Sequence, residues 1–218
     1  MSSAPEHEII ALTTPDDAPD AAIATAPAPV ARRSVATDVA LIATFAAFIA
    51  VCAIVPAIPT GTPVPITLQT FGVVLAGLVL GWKRGALAVL LYLAVGLAGL
   101  PVFAEGTGGV AVLSKPSVGY LLAFPFAAAL AGYLAGYALR LPTAWRYVGL
   151  FLSGLVASIL TIHVGGIVGL HLTLGLSYSE AFVFDLKYWP GDIAKNLLAA
   201  GVALAVFRAY PDLLRTRR

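Results

Sequence analysis

Apolar residues run through the chain in six blocks, at about 38–55, 66–80, 85–100, 117–139, 147–173 and 190–209, with Pro, Gly and most charges between them. At 1.5 Å per residue the first block makes a helix of roughly 27 Å, close to the hydrocarbon thickness of a bilayer. The second and third are short for full spans, and the fifth carries Gly165, Gly166 and Gly169, so a bend or interruption is expected there. The pattern predicts an all-α, polytopic membrane protein. Residues 35–211 form a bundle of six transmembrane helices, residues 1–34 a disordered tail, and 212–218 a basic end. The tail is assigned from five prolines, five acidic residues and the absence of apolar periodicity.

Composition supports the same class. A hydrophobic fraction of 60% with 11% charged residues, and a mean hydropathy of +0.93, lie outside the soluble globular range. The net charge of +2 gives no reason to expect a nucleic-acid partner; the expected surroundings are lipid. Where the charges sit matters more. Arg32, Arg33, Lys83, Arg84, Arg140, Arg146, Arg208, Arg215, Arg217 and Arg218 fall on one side of the predicted bundle, against Lys115 and Lys187 on the other. By the positive-inside rule both termini are cytoplasmic, and the loops 56–65, 101–116 and 174–188 face outward at the cell membrane. The lone Cys52 excludes an intrachain disulfide.

The outer side carries the candidate chemistry. Trp189-Pro190-Gly191-Asp192 opens the last block, and Lys195 and Asn196 follow at i+3 and i+4 from Asp192, on one helical face. Each ionised group would cost about 2.5–3.5 kcal/mol near a bilayer centre, so such residues pair, face a cavity or bind something. Two plainer roles stay open: Asp192 as a helix N-cap, and Lys195 snorkelling to the surface. Gln69 is a second candidate, with two donors and an acceptor near the outer end of its segment. Tyr92 and Tyr120 are either ligand contacts or interfacial anchors. His163 and His171 are either proton relays or bonded core histidines. The apolar loop 99–116 either folds over the bundle as a lid or caps helix ends. Ala46 and Ala50 form a small-xxx-small pair, suited to packing inside the bundle or against an outside helix. Gly106-Thr107-Gly108-Gly109 is turn chemistry, because no strand precedes it. No Walker phosphate loop, HExxH, GxSxG elbow or Cys/His cluster with metal-ligand spacing is visible. Neither enzyme activity nor a cofactor is expected.

Four strings together carry a resemblance: PVPITLQTFGVVLAGLVLG (63–81), KRGALAVLLYLAVGLAGLPVFA (83–104), GYLLAFPFAA (119–128) and WPGDIAKNLLAA (189–200). Over about 38–209 the chain resembles BioY, the biotin-specific S component of energy-coupling factor (ECF) transporters. The resemblance implies a six-helix membrane protein that captures biotin near the outer surface and hands it on with a transmembrane T component and a pair of ATPases. It implies Gln69, Tyr92, Asp192 and Lys195 in the pocket, and Ala46 and Ala50 on the face that meets the T component. Lys115-Pro116-Ser117-Val118-Gly119-Tyr120 departs from the Gly-Pro-Thr-Gly-Gly-Tyr run of many relatives. An S component for another vitamin, and a stand-alone proton-coupled carrier using His163, Asp192 and Lys195, are the alternatives.

Overall fold

The computed structural model describes residues 34–55 and 64–211, and the expected tail and basic end lie almost wholly outside them. Every regular element among the described residues is helical. In order they are α1 (Val35–Ile54), α2 (Gln69–Leu80), α3 (Trp82–Leu97), α4 (Val118–Ala138), α5 (Arg146–Ala157), α6 (Val164–Leu174), α7 (Tyr178–Asp185) and α8 (Trp189–Ala209), with short 3-10 turns between some of them. Each of the six apolar blocks is helical for most of its length.

Four helical runs are long and apolar enough to cross a membrane: Val35–Ile54, Val118–Ala138, Thr143–Leu174 and Trp189–Ala209. Their outward faces show Val39, Phe126, Leu160 and Leu198. In water such a surface would be an aggregation liability; in hydrocarbon it is the natural solvent contact. The protein is an all-helical membrane bundle.

The bundle is built around α2, whose residues from Phe71 to Leu80 are all buried. It packs against α1, α3, α4 and α8. At 12 residues it is only about 18 Å long, and Pro65 to Leu68 lead into it without being part of it. Gly81 ends α2 at φ +85° and Trp82 begins α3, so one residue in a backbone conformation that side chains resist makes the whole connection. Where α2 meets α4, a Cβ on Gly77 would run into the Ala128 carbonyl. The two backbones touch, as small residues permit in membrane helices.

The fifth block is interrupted as expected, but not at its glycines. Residues Ser158–His163 form a π-helical stretch between α5 and α6. The glycines serve close packing instead: a Cβ on Gly169 would lie 2.7 Å from Gly119 Cα of α4.

Two expectations change here. The stretch 174–188, expected as an outward-facing loop, is not a simple loop, since α7 occupies its middle. Its start is a capping box: Ser177 Oγ accepts from the Glu180 N–H at 3.3 Å, and Glu180 Oε2 accepts from the Ser177 N–H at 2.9 Å. The Ser177 hydroxyl, which donates to Glu180 Oε2 at 2.7 Å, and then the Ser177 N–H hold the Glu180 carboxyl below the usual range. On α1, Ala46 is only 7% exposed and Ala50 packs against the same interior cluster. The pair faces the bundle, not outward. The alanines α1 presents outward are Ala36, Ala40, Ala43 and Ala47, which recur at helical spacing and form one stripe.

Candidate functional site

A cavity of about 340 Å³ opens among the N-terminal ends of α2, α4 and α8, within the range of about 300–1,000 Å³ usual for small-ligand sites. The polar part of its wall includes Gln69, Thr70, Asp192 and Lys195. The apolar part includes Phe103, Val112, Leu121 and Phe124. Phe103 and Val112 come from the loop after α3, so that loop forms a wall of the cavity.

The charged pair sits in the first turns of α8. That helix starts at Trp189, with Tyr188 as its N-cap residue, and the Asp192 N–H already bonds to the Tyr188 carbonyl at 2.9 Å. Pro190 fits the first turn because its missing N–H would have no helical partner. Asp192 is therefore not a cap. Lys195 does not snorkel either: its side chain is 13% exposed and Asp192's is 7%. Lys195 Nζ donates to Asp192 Oδ1 at 2.9 Å and to Thr70 Oγ1 at 3.2 Å, while the Thr70 hydroxyl donates to Asp192 Oδ1 at 2.9 Å. The result is a compact triangle, neutral overall, with donor and acceptor capacity facing the cavity.

Gln69 also lines the cavity. Its amide donates to the Tyr92 hydroxyl at 2.7 Å, and that hydroxyl donates to the Val102 carbonyl at 3.1 Å. Tyr92 is not among the described lining residues. It stands behind Gln69, 1% exposed, with its ring edge-on to Phe103 at 5.4 Å. Its place corrects the expected direct contact: Tyr92 orients Gln69 and braces the loop. Asn196 points away from the cavity, its amide donating to Ser158 Oγ at 3.1 Å and to the Asp192 carbonyl at 2.8 Å.

Sequence reasoning missed Asp185. This carboxylate, 0% exposed, ends α7 and accepts from three elements. Tyr120 OH of α4 and Trp189 Nε1 of α8 each donate at 2.8 Å, and His163 Nδ1 of the π-helical stretch lies 2.9 Å away. A carboxylate can only accept, so the proton on that ring nitrogen is assigned to Nδ1. The other nitrogen, Nε2, then faces Asp192 Oδ2 at 3.6 Å. His163 thus connects a buried structural carboxylate to the one in the cavity. The available clue was an acid inside Ala181-Phe182-Val183-Phe184-Asp185-Leu186, shortly after the Ser-x-x-Glu cap signature.

The BioY family profile matches residues 23–212. The chain belongs to the BioY family. It is 38% identical over 179 residues to the biotin transporter BioY of Rhizobium etli, covering 81% of this chain and 96% of that one. It is 37% identical over 190 residues to the biotin transporter BioY of Rhodobacter capsulatus, covering 83% and 98%. Among solved structures, the S component for biotin from an ECF-type ABC transporter superposes with a TM-score of 0.74 at 30% identity, over 79% of this chain and 92% of that one. Membership in the BioY family makes this a membrane transport protein, and the cavity at the N-terminal ends of α2, α4 and α8 is the feature of its fold suited to a small solute.

Proposed function

We propose that this protein captures biotin from the outer side of the membrane and delivers it to an ATP-driven ECF complex. The observation that carries the reading is the neutral Asp192–Lys195–Thr70 triangle in an otherwise largely apolar cavity. Biotin offers a ureido group with two N–H donors and a carbonyl, an apolar thioether ring and a carboxylate tail. The triangle complements the first, and Phe103, Val112 and Phe124 suit the second. Proteins similar to this chain bear the name of the same ligand.

In this reading the six apolar blocks are six transmembrane helices, with the short α2 and α3 as partial spans, and both termini are cytoplasmic. The ten-to-two basic asymmetry supports that orientation. Radiolabelled biotin should therefore bind saturably to right-side-out membrane vesicles and not to sealed inside-out ones. Unlabelled biotin should compete, and riboflavin and thiamine should not. Competition by either vitamin, or binding only to inside-out vesicles, would sink the reading.

For the transmembrane partner, the T component, the outward stripe of α1 replaces Ala46 and Ala50 as the candidate contact. Small side chains allow close backbone approach, so a tryptophan would hold a partner helix away. Ala43→Trp and Ala47→Trp should abolish co-purification with the T component and ATPases while leaving biotin binding by the isolated protein unchanged. Normal co-purification of both variants would assign the stripe to lipid contact alone.

The line Asp185–His163–Asp192 is the one observation favouring a proton-coupled carrier. Uptake that a protonophore abolishes, in cells lacking the ECF ATPases, would select that reading.

A further inference from the structure

The cavity contains two lysines in different electrostatic states. Lys195 is already neutralised, with Asp192 at 2.9 Å. Lys115 also lines the cavity, and the nearest hydrogen-bonding partner of its ammonium is the neutral Thr107 hydroxyl at 3.4 Å. None of the ion pairs among the described residues includes it. A second positive feature lies alongside. The 21-residue α4 starts at Val118 with no side-chain cap, and Pro116, Ser117 and Tyr120 at that end line the cavity. The amino end of a helix carries partial positive charge. The one other charged group among the described lining residues is Glu105, in the same loop, held at φ +60°.

We propose that Lys115 receives the carboxylate of the ligand, while the neutral Asp192–Lys195 pair holds its uncharged polar head. The proposal rests on the biotin reading. A carboxylate placed at Lys195 would share one ammonium with Asp192, and two like charges on one partner repel. Placed at Lys115, it meets a cation without a counter-ion and the positive end of α4. The uncharged ureido group then takes the site where donor and acceptor are already paired. Glu105 opposes the incoming anion, so it moderates affinity instead of creating it. Lys115 thereby becomes the residue that tells the free acid from ligands whose tail carboxyl is masked.

Calorimetric titration of the full-length, detergent-purified protein with biotin and with uncharged biotinamide tests this. Charge-assisted hydrogen bonds predict that wild type binds the acid about 10- to 100-fold more tightly than the amide. In Lys115→Gln the acid should weaken by that factor and the amide should change less than about twofold, closing the gap. Glu105→Gln should tighten the acid by roughly two- to fivefold, as removal of a nearby exposed like charge does, and leave the amide unchanged.

A gap that persists in Lys115→Gln overturns the proposal, as does an equal loss for both ligands, which would make Lys115 a purely structural residue. Weaker or unchanged acid binding in Glu105→Gln counts against it as well. If wild type binds neither ligand, the biotin reading itself falls and takes this proposal with it.

Discussion

Asp192→Asn lowers biotin affinity by about 2–5 kcal/mol, roughly thirty- to several-thousand-fold, and Lys195→Met does the same. The reason lies in what each substitution leaves behind. Asp192 Oδ1 accepts from both Lys195 and Thr70 at 2.9 Å. Removing its charge strands the Lys195 ammonium in a site that is 13% exposed. Removing the ammonium instead leaves the Asp192 carboxylate with a hydroxyl and the neighbouring His163 ring. A buried charge without its partner costs more than the pair contributed, so the singles overstate the worth of the interaction. The double variant should accordingly lose less than the sum of the two singles. Isothermal titration of purified variants with biotin measures the affinities, and the thermal melt of each reports its folding. Near-wild-type affinity in both singles, with the melt preserved, would remove Asp192 and Lys195 from the binding site.

Asp185→Ala destabilises the protein by about 3–5 kcal/mol, the usual cost of breaking a buried charged network. Three donors lose their acceptor together: the Tyr120 hydroxyl, the Trp189 indole N–H and His163 Nδ1. Each orphaned buried group costs about 1–3 kcal/mol, and the cavity left by the side chain adds to that. For a chain of this size the melting temperature should fall on the order of 10 °C. Because Trp189 is one of the donors, its fluorescence reports the loss directly. Asp185→Asn keeps one acceptor oxygen and should fall between alanine and wild type. Biotin affinity should drop as well, since Tyr120 lines the cavity and would lose its anchor. A melt unchanged to within a degree or two would show that the N-terminal ends of α4 and α8 are held by apolar packing alone.

Much of this protein follows from one chemical fact read along the chain. Blocks of hydrocarbon too long to hide in a soluble core must cross or pack within a bilayer, and a backbone without water must be helical. That made the helical bundle legible. It also made Asp192 and Lys195 conspicuous, because charge in an apolar run is costly and their i, i+3 spacing fixes a shared face. Gln69 stood out for the same reason. α7 was within reach too, since Ser177 and Glu180 carry a local capping signature.

What stayed hidden depends on contacts between distant parts of the chain. Thr70 meets Asp192 across 122 positions and Tyr120 meets Asp185 across 65, and no periodicity announces either. Tyr92 could be placed on its helix but not ranked behind Gln69, because that order depends on where α2 and α3 pack. The inward turn of Ala46, with Ala43 and Ala47 outward, marks the deeper limit. In a soluble helix the polar side identifies the surface. Here lipid and protein core are equally apolar, so both faces of α1 read alike, and only packing decided which alanines the bundle covers.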